Sequence, residues 1–371
     1  MKIKKHAAVL GVVAAGALLL SACGSDNNTR PGDSGAASSS NDAADCGGKK
    51  KLNGEGSSAQ TNAVAEFTAD YAAKCAGFDV AYNPTGSGAG VKQFNAAQVD
   101  FGGSDSPLKS GEETTKATER CKGNPAWHLP LVFGPVAVAY NVPGANSIVL
   151  NAEVTAKIFS GAVKTWNDPA IAALNSGVSL PAKPIVVIYR SDESGTTDNF
   201  QLYLKAAAPS AWTKGAGKAF QGGTGEGKAK SQGVADAVKA TEGSITYVEK
   251  SFAEKAKLGI AKLDSGSGAV ELTDATAGKA IAAAKVKGSG NDLVLDLDSL
   301  YASKEAGAYP LVLVTYELVC SKGYDADTAK AVKAFLTVAA GTGQDRLSKV
   351  GYVPLPADFR TKVQDAIKAI G

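Results

Sequence analysis

Leu129-Pro130-Leu131-Val132-Phe133-Gly134-Pro135-Val136-Ala137-Val138-Ala139-Tyr140 is an apolar, β-rich run longer than an ordinary strand of about 5 to 6 residues. Tyr309 to Cys320 repeats the feature late in the chain. Each run is long enough to leave one domain and enter another. Two such crossings predict a discontinuous first domain, residues 46–134 with 312–371, clasping an inserted second domain, residues 135–311. Two domains in series is the alternative that pattern alone leaves open. Phe78 to Tyr82, Pro184 to Tyr189 and Ser244 to Val248 read as further strands, and helical patterns lie between them. Val64, Phe67, Tyr71 and Cys75 share one helical face, as do Val332, Phe335, Leu336 and Ala339; Val91, Phe94 and Gln98 do so less cleanly. The expected fold class is therefore α/β, built as a hinged clamp. Ligands of such architectures bind in the cleft, often at the carboxyl ends of strands.

Upstream of the body, Lys2, Lys4 and Lys5 precede an uncharged apolar run from Ala7 to Leu20, which ends in Leu20-Ser21-Ala22-Cys23. This is a secretory signal with a lipobox over residues 1–22, too short an apolar run for the roughly 20 residues that cross a bilayer. The mature chain is expected to begin at Cys23, lipidated there, with residues 23–45 a polar, flexible tether. Three of the 39 Lys and Arg lie in the signal and none of the 36 Asp and Glu, so the mature chain is formally neutral. No basic excess speaks for a nucleic acid partner.

Cys46, Cys75, Cys121 and Cys320 make an even number outside the cytosol and suggest two disulfides. Three pairings are open; the expectation is Cys75 with Cys121 and Cys46 with Cys320. No two of these cysteines lie within four residues, which disfavours a metal site. No cofactor is expected.

Three segments share one design, a strand-like run, a Gly/Ser/Thr turn and then a helical pattern: Lys51 to Ala59, Asn83 to Gly90 and Arg190 to Thr197. A helix start has unpaired N–H groups and partial positive charge, so a small-residue turn there lets an anion reach the backbone. One such turn is most often simple capping; three in one clamp are harder to dismiss. Arg190 adds a planar fork suited to an oxyanion, and Asp192 stands where it can orient that fork. Asp105, in Asp100-Phe101-Gly102-Gly103-Ser104-Asp105, reads from the residues alone as a turn or cap aspartate, or, beside an anion, as an acceptor for a ligand that carries a proton.

These segments, with Gly243-Ser244-Ile245-Thr246-Tyr247-Val248, resemble the PstS family, the phosphate-binding proteins of the phosphate-specific transport system; lipobox, tether and cysteines resemble its actinobacterial lipoprotein branch. The resemblance implies a periplasmic-binding-protein-like, type II clamp that captures inorganic phosphate for an ABC importer. Ser58, Ala59 and Ser87 would bind from the first domain, with Asp105 accepting the phosphate proton. Arg190, Ser194, Gly195 and Thr196 would bind from the second, with Asp192 orienting Arg190. The expected partners are two membrane permease subunits and their cytoplasmic ATPase, met by a monomer on the outer face of the membrane. Glu193 departs from the family's Asp-Gly-Ser-Gly, and Ser58-Ala59-Gln60 from its Thr-Phe-Pro. The first departure leaves affinity open, and discrimination against the nearly isosteric arsenate is expected to be poor.

Other classes fare worse. His6 and His128 are the two histidines, so a hydrolase has one candidate base outside the signal, and His128, beside Trp127, reads as structural. Gly222 to Ala229 nearly matches a P-loop, but Ala229 replaces the magnesium-binding hydroxyl and no clear strand precedes it. A binding protein for another oxyanion or small solute is the main alternative, and a secreted phosphatase-like hydrolase a weaker one. An additional adhesive role is not required by any residue.

Overall fold

A computed structural model describes residues 44–145 and 147–371. The signal, Cys23 and most of the tether lie outside the described residues. Twelve strands occur among them: β1 (Lys51–Gly56), β2 (Asp79–Asn83), β3 (Phe101–Ser104), β4 (Ala126–Asn141), β5 (Val149–Asn151), β6 (Val186–Arg190), β7 (Glu226–Lys228), β8 (Ser244–Glu249), β9 (Gly259–Ile260), β10 (Lys262–Asp264), β11 (Ala269–Val270) and β12 (Val312–Cys320). Nine form a mixed sheet in the order β2-β1-β3-β12-β4-β8-β6-β7, with β9 also on β4, and β11-β10-β5 form a second.

The apolar run Leu129 to Tyr140 lies within β4, a single strand with two sets of partners. Ala126 to Pro135 lie antiparallel to β12, and Val136 to Asn141 lie antiparallel to β8. Its two prolines sit where a missing N–H costs least. Pro130 stands at a register shift, between Thr315 paired with Val132 and Tyr316 paired with Pro130. Pro135 stands at the exchange of partners. The second long run is shorter as a strand than expected, because Tyr309 to Leu311 only lead into β12. They still tie to the exchange point: Val136 N–H donates to Leu311 O at 3.0 Å, and Tyr309 Oη donates to Val136 O at 2.9 Å.

Parallel strands supply the site's scaffold, since each is followed by a helix whose start faces the sheet's carboxyl edge. β1 runs parallel to β2 and β3, and β6 runs parallel to β7 and β8. The expected apolar faces pack: Val64, Phe67 and Tyr71 of the helix Thr61–Lys74, and Cys75 just past its end, are all buried, with the Tyr71 ring edge-on to Phe335 at 5.6 Å. Burying each such side chain is worth roughly 1.5 to 3 kcal/mol.

The disulfides differ from the expectation. Cys46 is bonded to Cys75, Cα atoms 5.4 Å apart, and Cys121 to Cys320, 5.3 Å apart, replacing the expected Cys75–Cys121 and Cys46–Cys320. The reason is sheet register. Cys320 pairs across the ladder with Ala126, so Cys121, at the end of the helix just before that strand, arrives beside it. Cys46 enters β1 at the end where the following helix delivers Cys75. His128 is structural as expected: buried, it accepts Leu108 N–H on Nε2 at 2.9 Å and meets Asp292 Oδ1 through Nδ1 at 2.7 Å.

No helix among the described residues is long and apolar enough to cross a membrane, and no cluster of metal-ligating side chains occurs among them.

Candidate functional site

The three turns converge. Ser87 opens the helix Ser87–Asn95 after Gly86, whose φ of 111° favours glycine. A Cβ at Gly86 would also stand 2.6 Å from Asp192 Oδ2. The helix Gly195–Ala207 opens after Ser194, which accepts Thr197 N–H at 3.2 Å. That bond is the ordinary capping expected of a serine, yet it uses one lone pair and leaves the hydroxyl proton to be donated elsewhere. Gly195 N–H donates to Ser87 Oγ at 3.2 Å. A Cβ at Gly195 would lie 2.5 Å from both Asp105 Cβ and Ser87 Oγ, so only glycine permits this approach.

Asp105 lies at the end of β3, 1 % exposed. Its Oδ2 accepts hydrogen bonds from Ser57 Oγ at 2.7 Å and Ser87 Oγ at 3.0 Å, and its Oδ1 accepts from Thr315 Oγ1 at 2.6 Å. Burial pushes its carboxyl up to about 6, more than the Ser57, Thr315 and Ser87 hydroxyls pull it down, and the nearby Glu249 adds to the rise.

Arg190, at the carboxyl end of β6, is equally buried. Its Nε and Nη2 grip Asp192 Oδ1 and Oδ2 at 2.8 and 2.5 Å, a bidentate pair. Burial alone would raise the Asp192 carboxyl, but the hydrogen bonds and charge of Arg190, with Lys230 N–H, hold it below its ordinary value. Nη1 reaches inward to Ser231 Oγ at 3.1 Å and Thr196 Oγ1 at 3.5 Å. Thr196 donates its own proton to Glu249 Oε1 at 2.5 Å.

The expected phosphate-binding residues are therefore buried in one polar cluster, and Asp192, which holds Arg190, is partly exposed. Ser58 joins through Ser231, Oγ to Oγ at 3.0 Å, and Ala59 donates its N–H to Ser57 Oγ at 3.1 Å. Glu193 points away: half exposed, it pairs with Lys92 at 2.6 Å. Beside it opens a cavity of about 770 Å³ bordered by Gly88, Lys92, Glu193 and Lys218.

Sequence reasoning missed Ser57, Ser231, Glu249 and Thr315. Ser57 is the neighbour of an expected residue and was open to inspection. Glu249 follows the quoted Gly243 to Val248 segment by one residue, and Thr315 is buried in an apolar run. Both looked like core strand.

With that geometry in view, a profile described as a PBP superfamily domain matches residues 33–341. The class is thus a clamp-type solute-binding domain. The chain is 50 % identical over 374 residues to phosphate-binding protein PstS 3 of Mycobacterium tuberculosis and 48 % identical over 373 residues to PstS 2 of the same organism, with all of each chain covered in both comparisons. It belongs to the PstS family. Among solved structures, a high-affinity periplasmic phosphate-binding protein, PfluDING, crystallised with phosphate, shares the fold with a TM-score of 0.68 at 24 % identity, covering 85 % of this chain and 93 % of that one.

Proposed function

We propose that this protein captures inorganic phosphate in the cluster around Arg190 and Asp105 and hands it to an ABC importer. One observation carries the reading: a buried carboxylate, Asp105, placed among hydroxyl and N–H donors with a buried guanidinium nearby. Donors suit any oxyanion. An acceptor suits only one that brings a proton, as phosphate does near neutral pH and sulfate does not. A site built for a hydrogen-bond partner penalises ligands that lack it, by roughly 10⁴ to 10⁵ in comparable cases.

In this reading Ser58, Ala59, Ser87 and Asp105 bind from one lobe, residues 46–134 with 312–371, and Arg190, Ser194, Gly195 and Thr196 from the other, residues 135–311. β4 and the lead into β12 are the hinge connections, and closure dehydrates the ligand. The protein binds and releases without chemistry. A lipid on Cys23 holds it at the outer face of the membrane, where it meets two permease subunits served by a cytoplasmic ATPase.

The test is calorimetric. The purified protein, disulfides formed and ligand stripped by unfolding and refolding, is titrated with phosphate and then sulfate. One-to-one binding of phosphate with sulfate excluded is the expected result; a folded protein that takes neither ion refutes the phosphate assignment.

A further inference from the structure

The glycine-rich segment Gly222 to Ala229 has no role in the site as expected from sequence, yet it ends beside it. Glu226 to Lys228 form β7 next to β6, with Lys228 paired to Arg190. The helix Lys230–Ala240 follows at once. Lys230 takes a left-handed φ of 66°, a costly conformation for a lysine. It donates its N–H to Asp192 Oδ1 at 2.9 Å.

The next residue, Ser231, is fully buried. Its N–H donates to Ser58 Oγ at 3.0 Å, its Oγ lies 3.0 Å from the same Ser58 Oγ, and it accepts Arg190 Nη1 at 3.1 Å. No direct hydrogen bond is found between Ser58 and Arg190, two of the expected ligand residues, among the described residues. Ser231 is what connects them.

We infer that Ser231 is a further phosphate-contacting residue, completing the anion shell between Ser58 and Arg190. The inference rests on the phosphate reading above. A ligand oxygen that takes Arg190 Nη1 and the Ser58 hydroxyl withdraws both from Ser231. The freed hydroxyl is a rotor with one proton to donate, held at the edge of the ligand by its helix. Serine is also small enough to stand between a guanidinium and a second hydroxyl without parting them. The segment therefore serves the same ligand class as a P-loop, a phosphate, through a hydroxyl two residues beyond the position the motif assigns.

Phosphate is titrated into the wild-type protein, Ser231→Ala, Ser231→Thr and Gln232→Ala, with thermal unfolding recorded for each without ligand. Gln232 shares the helical turn, and its amide bonds Asp236 instead of the cluster. Ser231→Ala should weaken phosphate binding about ten- to a hundred-fold, the usual scale for one hydrogen bond to a charged group. Its unfolding temperature should match that of Gln232→Ala, which should bind like wild type, and Ser231→Thr should recover affinity by keeping the hydroxyl. Unchanged or tighter binding by Ser231→Ala overturns the assignment while leaving phosphate as the ligand. Equal weakening in Gln232→Ala would show a general effect of the helix and overturn it too. If Ser231→Ala does not fold, weak binding by a folded Ser231→Thr counts against the hydroxyl. A wild-type protein that binds no phosphate removes the underlying reading, and this assignment with it.

Discussion

Asp105 and Asp192 are carboxylates of one polar cluster, the first buried and the second partly exposed, and they are pushed in opposite directions. Asp192 is gripped by both arms of a guanidinium and stays ionised below its ordinary value. Among the described residues Asp105 has three hydroxyl donors and no cation bonded to it, and burial raises it to about 6. Desolvation pushes both upward, less completely for Asp192; the partner decides the outcome. The Asp192 side presents fixed positive charge to an anion, and the Asp105 side presents a proton acceptor. In the proposed phosphate site the two together would select for charge and for protonation at once.

The comparison can be broken most severely from the charged side. Arg190→Ala leaves the partly exposed Asp192 without its guanidinium partner and removes the inward Nη1. Phosphate affinity should fall by roughly a thousand-fold or more, the scale seen when one member of a buried charge pair is truncated, and calorimetry would measure it. Gly195→Ala tests the contact between the two sides. Its Cβ would clash with Asp105 and Ser87, so phosphate affinity should drop by about a hundred-fold, as for a few kcal/mol of overpacking, with the fold retained by circular dichroism.

Asp105→Asn sharpens the acceptor side, where affinity should fall less for phosphate than selectivity over sulfate does. It also has a signature in stability. The folded chain keeps the Asp105 proton up to about 6 while the unfolded chain loses it near 3.8, so stability without ligand falls as pH rises through that window. The integrated effect is roughly 3 kcal/mol. Urea unfolding at pH 4 and pH 7 should show a smaller decline in Asp105→Asn than in wild type. Asp192 behaves oppositely: its contribution is present above 3.8 and is lost only in more acid solution. The smallest effect belongs to Glu193→Gln. The carboxylate is half exposed and paired with Lys92, so the change in phosphate affinity should stay within about three-fold, since surface pairs are worth roughly 0 to 1 kcal/mol.

The α/β class, the long β4 strand and the helices that begin after the three turns were legible in local patterns. Apolar periodicity, strand length and small residues before helices are properties of short segments, and a sequence displays them directly. The same holds for Arg190 and Asp192, two residues apart on one turn. What only the tertiary structure decided was every relation between distant segments. The pairing Cys46–Cys75 and Cys121–Cys320 follows from strand register, which places Cys320 opposite Ala126 and therefore near Cys121. Glu249 at the end of β8 and Thr315 at the register shift within β12 reach the cluster because tertiary packing brings those strands to it, although in sequence they lie in buried runs. Ser231 meets Ser58 across 173 positions of chain. Local physics sets what each segment can be, whereas contact between segments depends on a packing that all of them settle together.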